Sequence, residues 1–206
     1  MKLGNAFNLY LKYPEEFDYF CCEREDDDEV DLSWLKKNDQ DEFKRDCEKA
    51  HKEAEEDFMQ LADEMTKLMG DRFTKLRFGT KKGISRNLWE WRMHFRPAGT
   101  KKPYHSQVGV WLATTDDGKA KACPWIWVRG GRSREEQLRT LLGLSKHPEN
   151  SEFSSEPGSI PLAEITVAPK NGLDSGDFIN KIMEPLLKIP KNKWQKIWEL
   201  SQGNGA

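Results

Sequence analysis

No motif in this chain of 206 residues identifies a reaction. The glycines lack the spacing of a P-loop or of a dinucleotide-binding fingerprint, and there is no helix-turn-helix, zinc-finger or RNA-recognition signature. The four cysteines include no C-x-x-C pair and have no companion histidine at zinc spacing. We therefore expect reduced thiols, no metal and no cofactor.

Long apolar runs are also missing. Residues 1–20 are broken by Asn, Lys, Pro, Glu and Asp, so they do not resemble a signal peptide. No later run is apolar for long enough to cross a membrane. We expect a cytoplasmic protein with no membrane partner.

The sequence does contain a marked separation of charge behind its net charge of −2. Residues 1–70 hold 21 Asp and Glu and 10 Lys and Arg, which gives −11, whereas residues 71–206 hold 14 and 23, which gives +9. We predict an acidic helical segment over residues 1–70, packed on an α+β core over residues 71–206. Opposite charges would let the two parts dock on each other, or let each meet a different partner.

Five of the eight tryptophans fall within residues 88–129, where three consecutive β-strands are predicted. Apolar and polar residues alternate over residues 88–96, which is the period of a strand with one buried face. Strands over residues 108–114 and 122–128 follow, joined by a tight Asp-Gly turn at residues 115–118. Pro124 predicts a bulge or an unpaired position in the third of these strands.

The remaining strand signals complete the predicted sheet. An edge strand is indicated over residues 72–79 and a last strand over residues 159–168. We therefore predict an α+β fold in which an antiparallel β-meander of four to five strands packs against helices on one face.

Helical spacing predicts one long amphipathic helix over residues 41–69, which Gly70 would end. A shorter helix is predicted over residues 15–22. Ser133 and Glu136 have the spacing of a capping box, so a helix should run from there to residue 142, with Gly143 as its stop.

Two more helices are predicted near the C-terminus. Asp174 or Ser175 can cap a helix that Pro185 kinks or divides. Residues 191–200 form the last helix, in which Trp194 and Trp198 either dock on the body of the protein or, if exposed, bind a partner.

The leading functional prediction comes from the densest basic block, with ten Lys and Arg and one Glu from Arg72 to Lys102. Basic residues interleaved with aromatic ones hold single-stranded nucleic acid by phosphate pairing and base stacking. We predict a non-catalytic protein whose basic, aromatic-rich sheet region contacts nucleic acid or a nucleoprotein. The predicted polyanion-binding residues are Arg72, Lys75, Arg77, Lys81, Lys82, Arg86, Arg92, Arg96, Lys101, Lys102, Arg129, Arg132 and Arg134.

The acidic segment supports an alternative, an inhibitor or adaptor that presents a phosphate-mimicking surface to a nucleic-acid-handling protein. A simpler interpretation is that its charged run is a solvated loop. A calcium loop is not indicated, because the glycine that its turn needs is absent. The predicted acidic surface comprises Glu25, Asp26, Asp27, Asp28, Glu29, Glu53, Glu56 and Asp57.

A second alternative is an enzyme acting on a phosphate-bearing substrate. Glu90, Arg92 and His94 share one face of a predicted strand, so Glu90 and His94 are candidates for acid–base work. The substrate phosphate would sit at the Gly130-Gly131 turn, where a helix begins. Such trios are common on solvated sheet faces, so the non-catalytic interpretation is favoured.

Overall fold

A computed structural model of the chain describes residues 5–14, 36, 39–74, 76–80, 90–101, 105–114, 119–144, 157–167 and 174–202. Within them, the predicted α+β architecture with an antiparallel sheet is confirmed. The helix predicted over residues 15–22, the acidic run at residues 25–29 and the turn at residues 115–118 lie outside the described residues.

The sheet is a meander in which strands that follow each other along the chain are also neighbours in space. All of the pairings are antiparallel, and β4 pairs with both β5 and β6 on the side away from β3. The last strand predicted over residues 159–168 is thus two short strands. The strands are β1 (Leu76–Thr80), β2 (Glu90–Pro97), β3 (Ser106–Thr114), β4 (Ala120–Val128), β5 (Ser159–Pro161) and β6 (Ile165–Thr166).

The described part of the chain forms five helices. They are α1 (Asn5–Lys12), α2 (Gln40–Arg72), α3 (Gly131–Leu142), α4 (Ser175–Leu187) and α5 (Lys191–Gln202). The long helix predicted from apolar spacing is confirmed as α2, and Phe58, Leu61 and Met65 belong to its buried stripe. None of the described helices is both long and apolar enough to span a membrane.

The predicted end of α2 at Gly70 is wrong. The helix continues to Arg72, and the N–H of Phe73 still donates to the carbonyl of Met69 (3.0 Å). Phe73 is buried against Trp194, with ring centroids 4.8 Å apart, so packing carries the helix past its glycine. The edge strand predicted from residue 72 consequently begins at Leu76.

The capping box predicted at Ser133 and Glu136 is also wrong. Helix α3 begins two residues earlier, at Gly131, and the preceding Gly130 supplies no side-chain cap. The φ angles of Gly130 and Gly131 are 128° and 67°, which residues with side chains rarely adopt. These two glycines therefore turn the chain directly from β4 into the helix, which ends at the predicted Gly143.

The bulge predicted at Pro124 is absent, because β3 and β4 pair without interruption along their full lengths. Pro124 lies between the parts of β4 that pair with β5 and with β6. Its carbonyl accepts a hydrogen bond from the N–H of Leu162 (2.8 Å). The N–H that proline lacks would point to that same edge, so the pairing of β4 with β3 keeps all of its hydrogen bonds.

The C-terminal helices follow the sequence prediction closely. The carboxylate of Asp174 caps α4 by accepting a hydrogen bond from the N–H of Gly176 (2.7 Å). Pro185 lies inside α4 without dividing it. Trp194 and Trp198 of α5 are 1% and 8% exposed, so both tryptophans are docked on the body of the protein.

Helix α1 is an element that the sequence prediction missed. Phe7 and Tyr10 are fully buried, and the ring of Phe7 meets Phe58 of α2 at 6.1 Å and Phe178 of α4 at 5.6 Å. Fully burying one such side chain contributes roughly 1.5–3 kcal/mol. Tertiary packing therefore stabilises α1, which has only 8 residues and would be marginal alone.

Side-chain contacts place helices against one face of the sheet. The indole N–H of Trp91 in β2 donates to the hydroxyl of Thr66 in α2 (3.2 Å). Phe95 lies on the same face of β2, four residues after Trp91, and its ring centroid is 5.2 Å from that of Trp194 in α5. This helix-facing side also carries Met93, and all three β2 side chains are buried.

We predict that Gly109→Ala in β3 destabilises the protein. An added Cβ would lie 2.5 Å from the carbonyl oxygen of Trp91 and would overlap the indole of Trp125. Overpacking of this kind costs about 1–3 kcal/mol of unfolding free energy, measured by urea denaturation. The matched control is Gly70→Ala in α2, where nothing lies within 4 Å of the added Cβ. That control should gain about 0.5–1 kcal/mol, and equal effects in the two variants would contradict the packing at Gly109.

Candidate nucleic-acid interface

The side of the sheet opposite the buried Trp91, Met93 and Phe95 combines basic and aromatic residues. Strand alternation and the pairing register assign its members, since a residue and its cross-strand partner share a face. We call this side the aromatic–basic face. Its members on the three central strands are Glu90, Arg92, His94, Arg96, Gln107, Gly109, Trp111, Lys121, Cys123, Trp125 and Trp127.

The register arranges these residues in rows that run across β2, β3 and β4. One row is Glu90, Trp111 and Cys123, and the next is Arg92, Gly109 and Trp125. A third row is His94, Gln107 and Trp127. Each row therefore brings one ionisable residue of β2 across from a tryptophan on β3 or β4.

The first two rows are joined by direct contacts. Trp111 and Trp125 stack with ring centroids 5.1 Å apart and planes 26° from parallel. The indole N–H of Trp111 donates to Oε1 of Glu90 (2.9 Å). Nη1 of Arg92 lies 3.6 Å from Oε2 of the same carboxylate. One carboxylate thus fixes both an indole and a guanidinium.

Among the described residues of this face, Nε of Arg92 and Nε1 of Trp125 are buried donors without a hydrogen-bond partner. Leaving a buried donor unsatisfied costs about 1–3 kcal/mol, so most native structures avoid it. The Arg92 side chain is nevertheless 31% exposed, which leaves an approach from solvent. These two N–H groups can therefore donate hydrogen bonds to an oxygen of a ligand.

A basic stretch borders the third row. Arg96 pairs with Arg77 of β1, and Arg129 follows β4 directly. The N–H of Arg129 donates to the carbonyl of His105, which extends the pairing of β3 and β4 by one position (3.1 Å). Since strands lie about 4.8 Å apart, the distance from β1 to β4 is about 14 Å. Among the residues of this face that the structure describes on β1 to β4, Glu90 is the only one with an acidic side chain.

The other predicted polyanion-binding residues are dispersed. Arg72 is exposed at the C-terminal end of α2, Lys101 is exposed after β2, and Arg132 is exposed in the first turn of α3. Arg134 donates to Gln137 (2.8 Å) and lines an open groove of about 310 Å³ between α3 and α5. Predicted residues outside the described part of the chain are Lys75, Lys81, Lys82, Arg86 and Lys102.

The predicted acidic surface is only partly described, since Glu25, Asp26, Asp27, Asp28 and Glu29 lie outside the described residues. Glu53 and Glu56 are exposed on α2, but Asp57 is partly buried. Its carboxylate accepts a hydrogen bond from the backbone N–H of Phe7, near the start of α1. Burial raises the pKa of Asp57, and repulsion from Glu53 and Glu56 adds to the rise. Asp57 thus helps to attach α1.

The candidate acid–base residues Glu90 and His94 are not brought together. They are four positions apart on one extended strand, which corresponds to about 13 Å. The Glu90 carboxylate is already held by Trp111 and Arg92. Among the described residues, no group of three or more His, Cys, Asp and Glu could hold a metal ion.

The alternation of side chains along β4 is the sequence signal that would have placed Trp125 and Trp127 on this face. Trp125 and Trp127 alternate with Ile126 and Val128, so the two pairs must lie on opposite sides of the sheet. Trp125 is buried, whereas Trp127 is partly exposed.

Comparison of the chain with protein-family models, curated proteins and solved structures found no match in any of the three.

We predict that Cys123 resists alkylation in the folded protein. Burial, with a smaller contribution from Glu164, raises the pKa of its thiol to about 12. At pH 8 almost none of it is thiolate, the form that reacts. Mass spectrometry after iodoacetamide treatment at pH 8 should find Cys123 unmodified in native protein and modified in protein unfolded by guanidinium. Equal modification in both samples would contradict the burial of this side chain.

Proposed function

We propose that the protein binds single-stranded nucleic acid across the aromatic–basic face. The observation that carries the proposal is the arrangement of cationic and aromatic side chains in adjacent strands, on the side of the sheet opposite its main helix contacts. Phosphate pairing and base stacking need these two kinds of side chain within reach of one strand.

The charge of the face supports a polyanion as its partner. The described part of the face carries three basic residues, Arg92, Arg96 and Lys121, and one acidic residue, Glu90. Arg129 adds a further positive charge directly after β4. The whole chain has a net charge of −2, so this local excess of positive charge is not a property of the protein at large. Clustered positive charge attracts phosphates and speeds their encounter with the surface.

The aromatic residues favour single strands over duplex. Trp111 and Trp127 are partly exposed on the face, and each could receive an unpaired base. Stacking on an aromatic side chain contributes about 1–3 kcal/mol per base. Bases within a duplex already stack on each other, so they would gain this contact only after unpairing.

We predict tighter binding to a single-stranded oligonucleotide of about 12 nucleotides than to its duplex, measured by fluorescence anisotropy for both DNA and RNA. Affinity should fall from about 50 mM to about 200 mM salt. The double substitution Arg96→Gln/Lys121→Gln should reduce the slope of log K against log salt by about 0.7 for each phosphate that the variant no longer neutralises.

The matched control is Lys188→Gln/Lys196→Gln, which removes the same charge from exposed positions after α4 and in α5. It should keep nearly the full salt slope. Absence of binding even at low salt, where phosphate contacts are strongest, would refute the proposal. Equal loss of affinity in the two double variants would show that general positive charge, and not this face, attracts the strand.

A further inference from the structure

We infer that the aromatic–basic face contains an oxyanion subsite at Gly109, formed by the Nε–H of Arg92 and the Nε1–H of Trp125, which belong to the two strands that flank this glycine. Its ligand would be a phosphodiester oxygen of the bound strand. This inference rests on the proposed function and names the group that the strand presents at this point.

The position of the subsite follows from the register. Arg92, Gly109 and Trp125 are direct partners in three adjacent strands, with Gly109 in the middle. Cζ2 and Cε2 of Trp125 are the indole atoms nearest to the point that a Cβ of residue 109 would occupy, and Cε2 is bonded to Nε1. This edge of the indole therefore covers the glycine, between β4 and the strand that carries Arg92.

The chemistry of the two donors determines what can fill the subsite. An indole N–H and a guanidinium N–H only donate, so the ligand must supply an acceptor. Both donor atoms are withdrawn from solvent and lack a partner. An anionic oxygen can accept from both, and the charge on Arg92 strengthens such hydrogen bonds.

The neighbouring carboxylate does not satisfy these donors. Oε1 of Glu90 accepts from Trp111, and Oε2 lies 3.6 Å from Nη1 of Arg92. Glu90 therefore acts as a positioning residue that holds the guanidinium from one side. The stack of Trp111 on Trp125, at 5.1 Å, fixes the indole from the other.

The direct test is nuclear magnetic resonance of ¹⁵N-labelled full-length protein, which observes indole Nε1–H and arginine Nε–H groups individually. Signals are assigned with Trp125→Phe and Arg92→Lys. Three probes are titrated: a single-stranded phosphodiester oligonucleotide, the same sequence with uncharged methylphosphonate linkages, and inorganic phosphate.

The inference predicts that the phosphodiester strand moves the Trp125 and Arg92 signals downfield together. The methylphosphonate strand should move Trp111 or Trp127 without that joint shift. Arg92→Lys keeps the charge but removes the Nε donor, and we expect it to weaken binding about tenfold, as for removal of a charge-assisted hydrogen bond. The charge-conserving control Lys196→Arg in α5 should bind as the unaltered protein does.

The remaining outcomes would overturn the subsite. If the strand moves Trp111 or Trp127 but leaves Trp125 and Arg92 unchanged, the face binds nucleic acid and the subsite is wrong. If inorganic phosphate moves the two donors and the bound strand does not, the ligand is free phosphate and not the phosphodiester. If no oligonucleotide moves any of these signals, the proposed function fails as well.

Discussion

The hydrogen-bond register between β2, β3 and β4 is the constraint on which the rest of the structure depends. Side chains alternate across a strand, so a slip of one residue would exchange the two faces. In the observed register, Phe95 and Val108 face the helices while Arg92 and Trp125 face away. The same pairing therefore determines both the hydrophobic core and the candidate binding surface.

Gly109 connects these two roles. With no side chain there, the indole of Trp125 lies over the backbone of β3 and stacks on Trp111. A bulkier residue would displace the indole and press on the carbonyl of Trp91, whose side chain contacts α2 on the opposite face. The glycine thus couples the arrangement of the aromatic–basic face to the packing beneath it.

Much of the fold could be predicted from local pattern. The alternation from Glu90 to Pro97 and the apolar stripe of α2 depend on periodicity within one element, which a sequence displays directly. The cap at Asp174 is equally local, because its carboxylate accepts a hydrogen bond from a residue two positions away.

Other features depend on contacts distant in sequence. Helix α1 is stabilised by the contact of Phe7 with Phe178, and α2 passes Gly70 because Phe73 packs on Trp194. The start of α3 depends on the positive φ angles of Gly130 and Gly131. The sequence prediction instead relied on the capping-box spacing at Ser133 and therefore began the helix too late. Packing and backbone conformation prevailed over local signals at each of these positions.

The candidate site was predictable in composition but not in arrangement. Arg92 and Arg96 could be assigned to the polar side of β2 from alternation alone. The register of β2, β3 and β4 determines that Trp125 lies in the same row as Arg92. The sequence of a single strand does not reveal this register. The unpartnered donors of Arg92 and Trp125 are likewise visible only once the strands are aligned.

The central claim is that nucleic acid lies on the aromatic–basic face, and photochemical cross-linking tests it most directly. A single-stranded oligonucleotide containing 5-iodouracil is irradiated with the full chain, and mass spectrometry locates the cross-linked residues. Our account predicts cross-links at Trp111 or Trp127, and none in α2 or α5. Cross-links confined to those helices, with β2 to β4 unmodified, would contradict it.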